Sequence, residues 1–218
     1  MVDKPLEWTS FDVVRKIRNL IRIKKVGHAG TLDPLATGLL IVCTGKFTKK
    51  INEYMSMIKE YRGTMHLGAV TPTYDLESDP VDFKSFDYIT EEKIMAAARS
   101  FTGELFQVPP AHSAIKVKGK RLYELARKGE EIKPEPRKIF IHEFEITGIE
   151  LPSVHFRAVC STGTYIRSLA NDFGIALGCG AYLSALSRTA IGDFKLDEAR
   201  SMDDLIVELS EIRKQTEN

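Results

Sequence analysis

The chain has 218 residues, 43% of them hydrophobic and 28% charged, with a formal net charge of +1. That balance excludes the disordered, collagen-like and mucin-like classes, and the length suits one large domain or two small ones with a real buried core. No apolar run approaches the ~20 residues of a membrane helix, and the Met-Val-Asp-Lys-Pro start lacks the basic and apolar regions of a signal peptide, so a cytoplasmic protein is expected.

From Thr9 to Arg22 the pattern predicts a helix. Thr9 or Ser10 is the N-cap, Asp12 lies in the first turn, and Val13, Val14, Ile17, Leu20 and Ile21 share one face. Leu39 to Cys43 reads as a strand, Thr48 to Ile58 has helical spacing, and Tyr61 to Val70 reads as another strand. The acidic stretch from Thr71 to Tyr88 is expected to be an exposed loop. Thr90 caps a helix through Ile94, Ala97, Ala98 and Phe101 that Gly103 ends. Val108-Pro109-Pro110 breaks regular structure, and a short helix follows from Arg121 to Lys128. Alternation over Phe140 to Ile146 and Val154 to Cys160 predicts two strands, each with one buried face. Tyr165 to Leu177 and Ser201 to Leu209 return to helix. Without a strict βαβ rhythm, the fold class is α+β, a mixed and largely antiparallel sheet flanked by helices. Residues 1–218 are expected to form a single domain ending in an acidic helical tail from about residue 195.

The near-neutral total conceals asymmetry. Six bases and no acid lie between Arg15 and Lys25 (Arg15, Lys16, Arg18, Arg22, Lys24, Lys25). Nine bases face four acids from Lys116 to Lys138, whereas residues 75–92 hold seven acids and one base. Two concentrated basic stretches suggest a polyanion met on one face. A solvated, salt-bridged helix surface accounts for the same charges.

Several motifs fail. Gly45-Lys46 lacks the earlier glycine and the following Ser or Thr of a phosphate loop. Asp75, Glu77 and Asp79 have the spacing of a calcium loop, but Pro80 and Phe86 occupy its obligatory Gly and Glu positions. Three cysteines without C-x-x-C spacing (Cys43, Cys160, Cys179) argue against disulfides and a zinc knuckle, and the five scattered histidines propose no metal site. No cofactor is implied.

Gly27-His28-Ala29-Gly30-Thr31-Leu32-Asp33-Pro34-Leu35-Ala36-Thr37-Gly38 is the most unusual segment. Three glycines and a proline specify a tight loop, with Pro34 forcing Asp33 extended. An aspartate so fixed beside a basic helix serves as a nucleophile or general base, or else closes the loop as an Asx-turn.

GHAGTLDPLATGLL closely resembles the signature of the TruB family of tRNA pseudouridine-55 synthases, and the resemblance runs nearly the whole chain. DKP…TSFDVV at 3–14 is similar to the family's opening, KEYRGTMHLG at 59–68 to its second motif and TPTYD at 71–75 to the following loop. VPPAHSAIKVKGKRLYELARKG at 108–129, CSTGTYIRSLANDFG at 160–174 and GCGAYLSALSRTAIGDF at 178–194 resemble the remaining motifs. The resemblance implies that the catalytic residues are Asp33, the nucleophilic aspartate, Tyr61, which stacks on the target uracil and moves a proton, and Arg167, which pairs with the aspartate. Tyr165, Leu186 and His28 line the uridine pocket or fill the gap left by the extruded base. It also implies RNA backbone contacts by Arg15, Lys16, Arg18, Arg22, Lys24, Lys25, Lys116, Lys118, Lys120 and Arg121, a tRNA T stem-loop as substrate, no membrane, no obligatory protein partner and a monomer. Only about two dozen acidic residues follow Phe194, so the additional C-terminal RNA-binding (PUA) domain of many members is expected to be absent. Glu7 stands where the opening motif usually has Gly, and His112 where the proline-rich turn usually has Tyr. The rival classes are a non-catalytic RNA chaperone, a synthase acting on another RNA and, last, a nucleotide-dependent enzyme.

Overall fold

A computed structural model of the chain describes residues 1–111, 113, 116–117, 120–121 and 134–217. Of the short helix expected at 121–128, Arg121 instead lies in a strand, and residues 122–128, together with His112 and Lys118, lie outside the described residues. The chain divides into two compact units, residues 1–62 with those from 185 onward, and residues 63–184.

In the first unit β1 (Val2–Lys4) pairs antiparallel with β3 (Ala36–Thr44), and β2 (Val26–Ala29) pairs antiparallel with β3 as well. The second half of β10 (Ala181–Ile191) runs parallel to β3, and the short strands β11 (Phe194–Lys195) and β12 (Arg200–Ser201) complete the sheet against β10 and β1. Helix α1 (Ser10–Ile21) forms because Thr9 and Asp12 close a reciprocal capping box at its start and Arg22 ends it in the left-handed conformation. Its buried Val13, Val14 and Ile17 pack with Val2, Val26, Leu40 and Met202, each such side chain adding about 1.5–3 kcal/mol of burial. The expected helix from Thr48 divides into a 3-10 turn over Gly45–Lys50 and α2 (Ile51–Ser56). The final helix α5 (Met202–Glu217) runs beyond its expected end and packs Leu205, Ile206 and Leu209 on the α1 cluster.

In the second unit β4 (Lys59–Leu67), which begins in the first, is followed in the sheet by β9 (Ser153–Cys160), β8 (Arg137–Glu150) and β5 (Gly103–Gln107). The strands β6 (Lys116–Val117) and β7 (Lys120–Arg121) pair with each other. Helix α3 (Glu91–Arg99), capped by Thr90, stops two residues before the expected Phe101, and α4 spans Ile166–Leu177. Phe101, Phe144, Phe156 and Phe173 form a chain of ring contacts between helices and sheet. The alternation expected along β8 breaks: Ile139, Ile141 and Phe144 are buried, whereas Phe140 is 42% exposed. A register shift between Ile141 and Glu143 moves the inward face by one residue, so Phe140 and His142 point away from the core that Phe144 enters. The acidic loop also differs from expectation, because Thr71, Thr73 and Asp75 are buried.

A close backbone approach occurs at Gly38. With φ of +100°, a Cβ there would lie 2.4 Å from the Arg188 carbonyl oxygen, backbone against backbone across the β3–β10 pair. Gly45 also has positive φ, +53°, but faces open space. Gly38→Ala should therefore cost about 3 kcal/mol or more through strain plus clash, and Gly45→Ala about 1–2 kcal/mol. At roughly 2–4 °C per kcal/mol, thermal unfolding should separate the two variants clearly; equal falls would refute the close approach.

Candidate functional site

The segment singled out around Asp33 is shorter as a loop than the sequence suggests. Gly27, His28 and Ala29 belong to β2, and Ala36, Thr37 and Gly38 open β3, leaving residues 30–35 as the turn. The Ala36 N–H donates to the Asp33 carbonyl at 3.1 Å and closes it.

Side chains from distant segments satisfy the rest of this backbone. Thr9 is the N-cap of α1, which frees Ser10. Its hydroxyl is 3% exposed, accepts the Leu32 N–H at 2.8 Å and donates to the Leu32 carbonyl at 3.1 Å. On the other side of Asp33, the Pro34 carbonyl accepts the Glu7 N–H at 2.9 Å and the Lys4 Nζ at 3.3 Å. Glu7 achieves this with φ of 65°, a left-handed turn that explains why glycine suits the position. Lys4 is fully buried and also donates to the carbonyls of Pro5 at 2.8 Å and Trp8 at 2.5 Å. Arg188, 1% exposed, donates from Nε to the Leu39 carbonyl at 2.8 Å and from Nη2 to the Gly30 carbonyl at 3.1 Å.

The other predicted residues of this unit lie on the strands around the turn. Leu186 on β10 is in register with Ala36, and its carbonyl accepts the Thr37 hydroxyl at 3.4 Å. His28 on β2 is half-buried; burial pushes its imidazole below the ordinary pKa against a hydrogen bond to the Gly30 backbone, and the Arg188 charge adds to the fall. Tyr61 on β4 is 9% exposed. Its strand is anchored by Lys59, whose ammonium donates to the carbonyls of Met55 and Met57 at the end of α2, and by Glu60, which accepts the Thr189 hydroxyl at 2.7 Å.

The second unit holds Arg167 and Tyr165. Arg167 is 5% exposed at the start of α4, with Nε 3.5 Å from the Asp75 carboxylate and Nη1 donating to the Thr73 carbonyl at 3.1 Å. The 71–78 segment shapes itself for this: Thr73 Oγ1 contacts Ser78 Oγ at 2.7 Å, the Glu77 N–H donates to Asp75 Oδ1 at 3.0 Å, and Tyr74 takes φ of 64°. The carboxylate rejected as a calcium ligand is thus an arginine partner. The Tyr165 peptide is bracketed by the Gln107 amide, which accepts its N–H at 2.8 Å and donates to its carbonyl at 3.1 Å.

Sequence reasoning missed Lys4, Ser10, Gln107, Asp75 and Arg188. For Ser10 the adjacency of two candidate caps was a signal, since one of them is spare; for Arg188 and Lys4, lone cations in strands, the sequence carries none. Among the expected RNA-contacting bases, Arg15, Lys16, Arg22, Lys24 and Lys25 are exposed. Arg18 is half-buried and donates to the Val26 carbonyl at 3.2 Å, so it serves the fold. Lys118 is outside the described residues, and of Lys116, Lys120 and Arg121 only the backbone is described. All three cysteines are buried. Among the described residues no His, Cys, Asp and Glu cluster could hold a metal, and no helix is long and apolar enough to cross a membrane.

Comparison with known proteins identifies the family. Residues 18–166 match the family described as TruB family pseudouridylate synthase (N terminal domain), and residues 167–218 match tRNA pseudouridylate synthase B C-terminal domain. A protein of Flavobacterium johnsoniae named tRNA pseudouridine synthase B is 54% identical over 206 residues, 91% of this chain and 90% of the relative. One of the same name from Chlorobaculum tepidum is 51% identical over 215 residues, 96% of this chain and 90% of the relative. The crystal structure of a Cbf5-Nop10-Gar1 complex contains a chain with a TM-score of 0.74 and 34% identity, covering 94% of this chain; this chain spans 52% of that one. Fold and motifs together define a pseudouridine synthase. The chain belongs to the TruB family of pseudouridylate synthases.

Burial pushes the Lys4 ammonium down to about 8, with the Asp33 carboxylate pulling the other way and Arg188 adding to the fall. The unfolded chain, near the ordinary lysine value of 10.5, then binds the proton more tightly between the two values. Through that window this group's contribution to stability rises with pH. The difference in Tm between the native chain and Lys4→Met should therefore shift in favour of the native chain from pH 8 to pH 10. A flat difference would place the charge in water.

Proposed function

We infer that this chain isomerises a uridine of tRNA to pseudouridine, acting on the T-loop uridine at tRNA position 55. The observation that carries the reading is the identity of 54% over 90% of a relative named tRNA pseudouridine synthase B, joined to an aspartate whose flanking backbone is hydrogen-bonded on both sides.

The reaction breaks the N1 to C1′ bond, turns the base and joins C5 to C1′, with no redox step and no external atom. The base must leave the RNA stack at a cost of a few kcal/mol; stacking on Tyr61 returns about 1–3 kcal/mol. Asp33 either attacks covalently or removes a ribose proton so that the glycosidic bond cleaves. The C5 proton leaves after the base has turned, to Asp33 or Tyr61. Arg167 takes the role of the arginine that keeps Asp33 ionised, with Asp75 and the Thr73 carbonyl fixing its side chain. Tyr165, Leu186 and His28 line the uridine site or fill the vacated stack. A neutral His28, as its lowered pKa favours, suits insertion among bases. The exposed bases Arg15, Lys16, Arg22, Lys24 and Lys25 meet the phosphates of the T arm. The described chain works as a catalytic domain, a cytoplasmic monomer.

Release of tritium from a tRNA transcript labelled at uridine C5 tests the reading. The native chain should release one equivalent, none when the T-loop uridine is replaced, and Asp33→Asn should slow release by about 10³-fold or more. Binding without release by either protein would reduce the chain to an RNA-binding protein. With about five phosphate contacts, affinity should fall about 10²–10³-fold between 50 and 200 mM salt. A salt-insensitive Kd would remove the basic face from recognition.

A further inference from the structure

Asp33 sits on a six-residue turn that carries its own backbone polar groups into a half-buried site. Two side chains hold the turn without being able to touch a substrate. The Arg188 guanidinium, 1% exposed, spans the carbonyls of Gly30 and Leu39, one on each side of Asp33. The planar fork fixes the separation of those two acceptors as a single rigid part, which a lysine's flexible stem does not. Gly30 belongs to the same device: at φ of +89° it keeps its Cα face bare, and a Cβ there would come 3.4 Å from Arg188 Nη1. The Ser10 hydroxyl grips both polar groups of Leu32, the residue before Asp33. Burying a full charge costs several kcal/mol that a packed apolar side chain avoids, so the guanidinium is explained by the geometry it imposes.

Resting on the isomerase reading above, we propose that Arg188 and Ser10 are positioning residues for Asp33, a two-point backbone clasp that sets the reactive carboxylate and acts on turnover rather than on RNA binding. Displacing a reacting group by about 1 Å costs about 10²-fold in rate, and the two clasp points hold the turn against such displacement, Arg188 with two hydrogen bonds on opposite sides of Asp33 and Ser10 with both of its bonds on Leu32.

The test uses the full chain and the tritium-release assay at saturating tRNA, with Kd measured separately by filter binding. Arg188→Lys, which keeps the charge and loses the fork, should lower kcat about 10²-fold and leave Kd within about twofold. Ser10→Ala should lower kcat about 10-fold, and Ser10→Thr, which keeps the hydroxyl, should restore most of it. Amide hydrogen exchange of Leu32 and Ala36 should quicken in Arg188→Lys and Ser10→Ala and not in Ser10→Thr. Should Arg188→Lys fail to fold, the Ser10 pair carries the test alone. Folded variants with native kcat, or with losses confined to Kd, would overturn the clasp. An inactive native chain would instead refute the isomerase reading, and unchanged exchange at 32 and 36 would then refute the clasp independently.

Discussion

A short turn in a half-buried position cannot satisfy its own backbone, and the organisation of the first unit follows from that constraint. Buried N–H and C=O groups without partners cost free energy comparable to a lost hydrogen bond. Between Gly30 and Leu39 they are met by Ser10, Lys4, the Glu7 amide and Arg188. Each donor comes from an element whose placement is otherwise a packing matter: β1, the entry to α1, and β10. The apolar face of α1 seats Ser10, and the parallel register of β3 against β10 seats Arg188 opposite Gly38. Hydrophobic burial supplies the frame, and a few polar atoms convert it into a defined position for one carboxylate.

Much of this was legible in the sequence where the signal is local. The Thr9 cap, the apolar stripe of α1, the Thr90 cap and the α4 helix all depend on neighbours three or four residues away. Asp33 stood out because its glycines and proline are themselves the cause of the turn. What escaped depends on distance. The shift in β8 between Ile141 and Glu143 is set by its partner strand, so a pattern of strict alternation put Phe140 inside when it is outside. Strand β5 turns Phe106 outward and buries Gln107, the reverse of what residue type suggests. Asp75 looked like one of several acids on a surface loop, and only the fold gives it Arg167. Lys4 and Arg188 are the sharpest cases, since buried cations have no periodicity to betray them.

The acidic C-terminal stretch shows how composition can mislead about role. Its charge suggested a trailing appendage, yet Met202, Leu205, Ile206 and Leu209 bury against Val13, Val14 and Ile17. Asp203, Asp204, Glu208 and Glu211 are exposed, and the first two lie in the first turn of α5, where the helix dipole favours them. Helix α5 therefore covers the helix whose first residue holds Leu32.

The bonds around Asp33 are unequal in reach along the chain. Ser10 and Lys4 lie 22 and 30 residues from their acceptors, whereas Arg188 lies 149 and 158 residues from Leu39 and Gly30. On a growing polypeptide the first two can close early, long before β10 is made. The guanidinium arrives only when β10 has been synthesised, and closing so long a loop is entropically the more demanding step. The carboxylate is thus set in place only once β10 has been made, and a chain that stops short of β10 carries it in an unset turn.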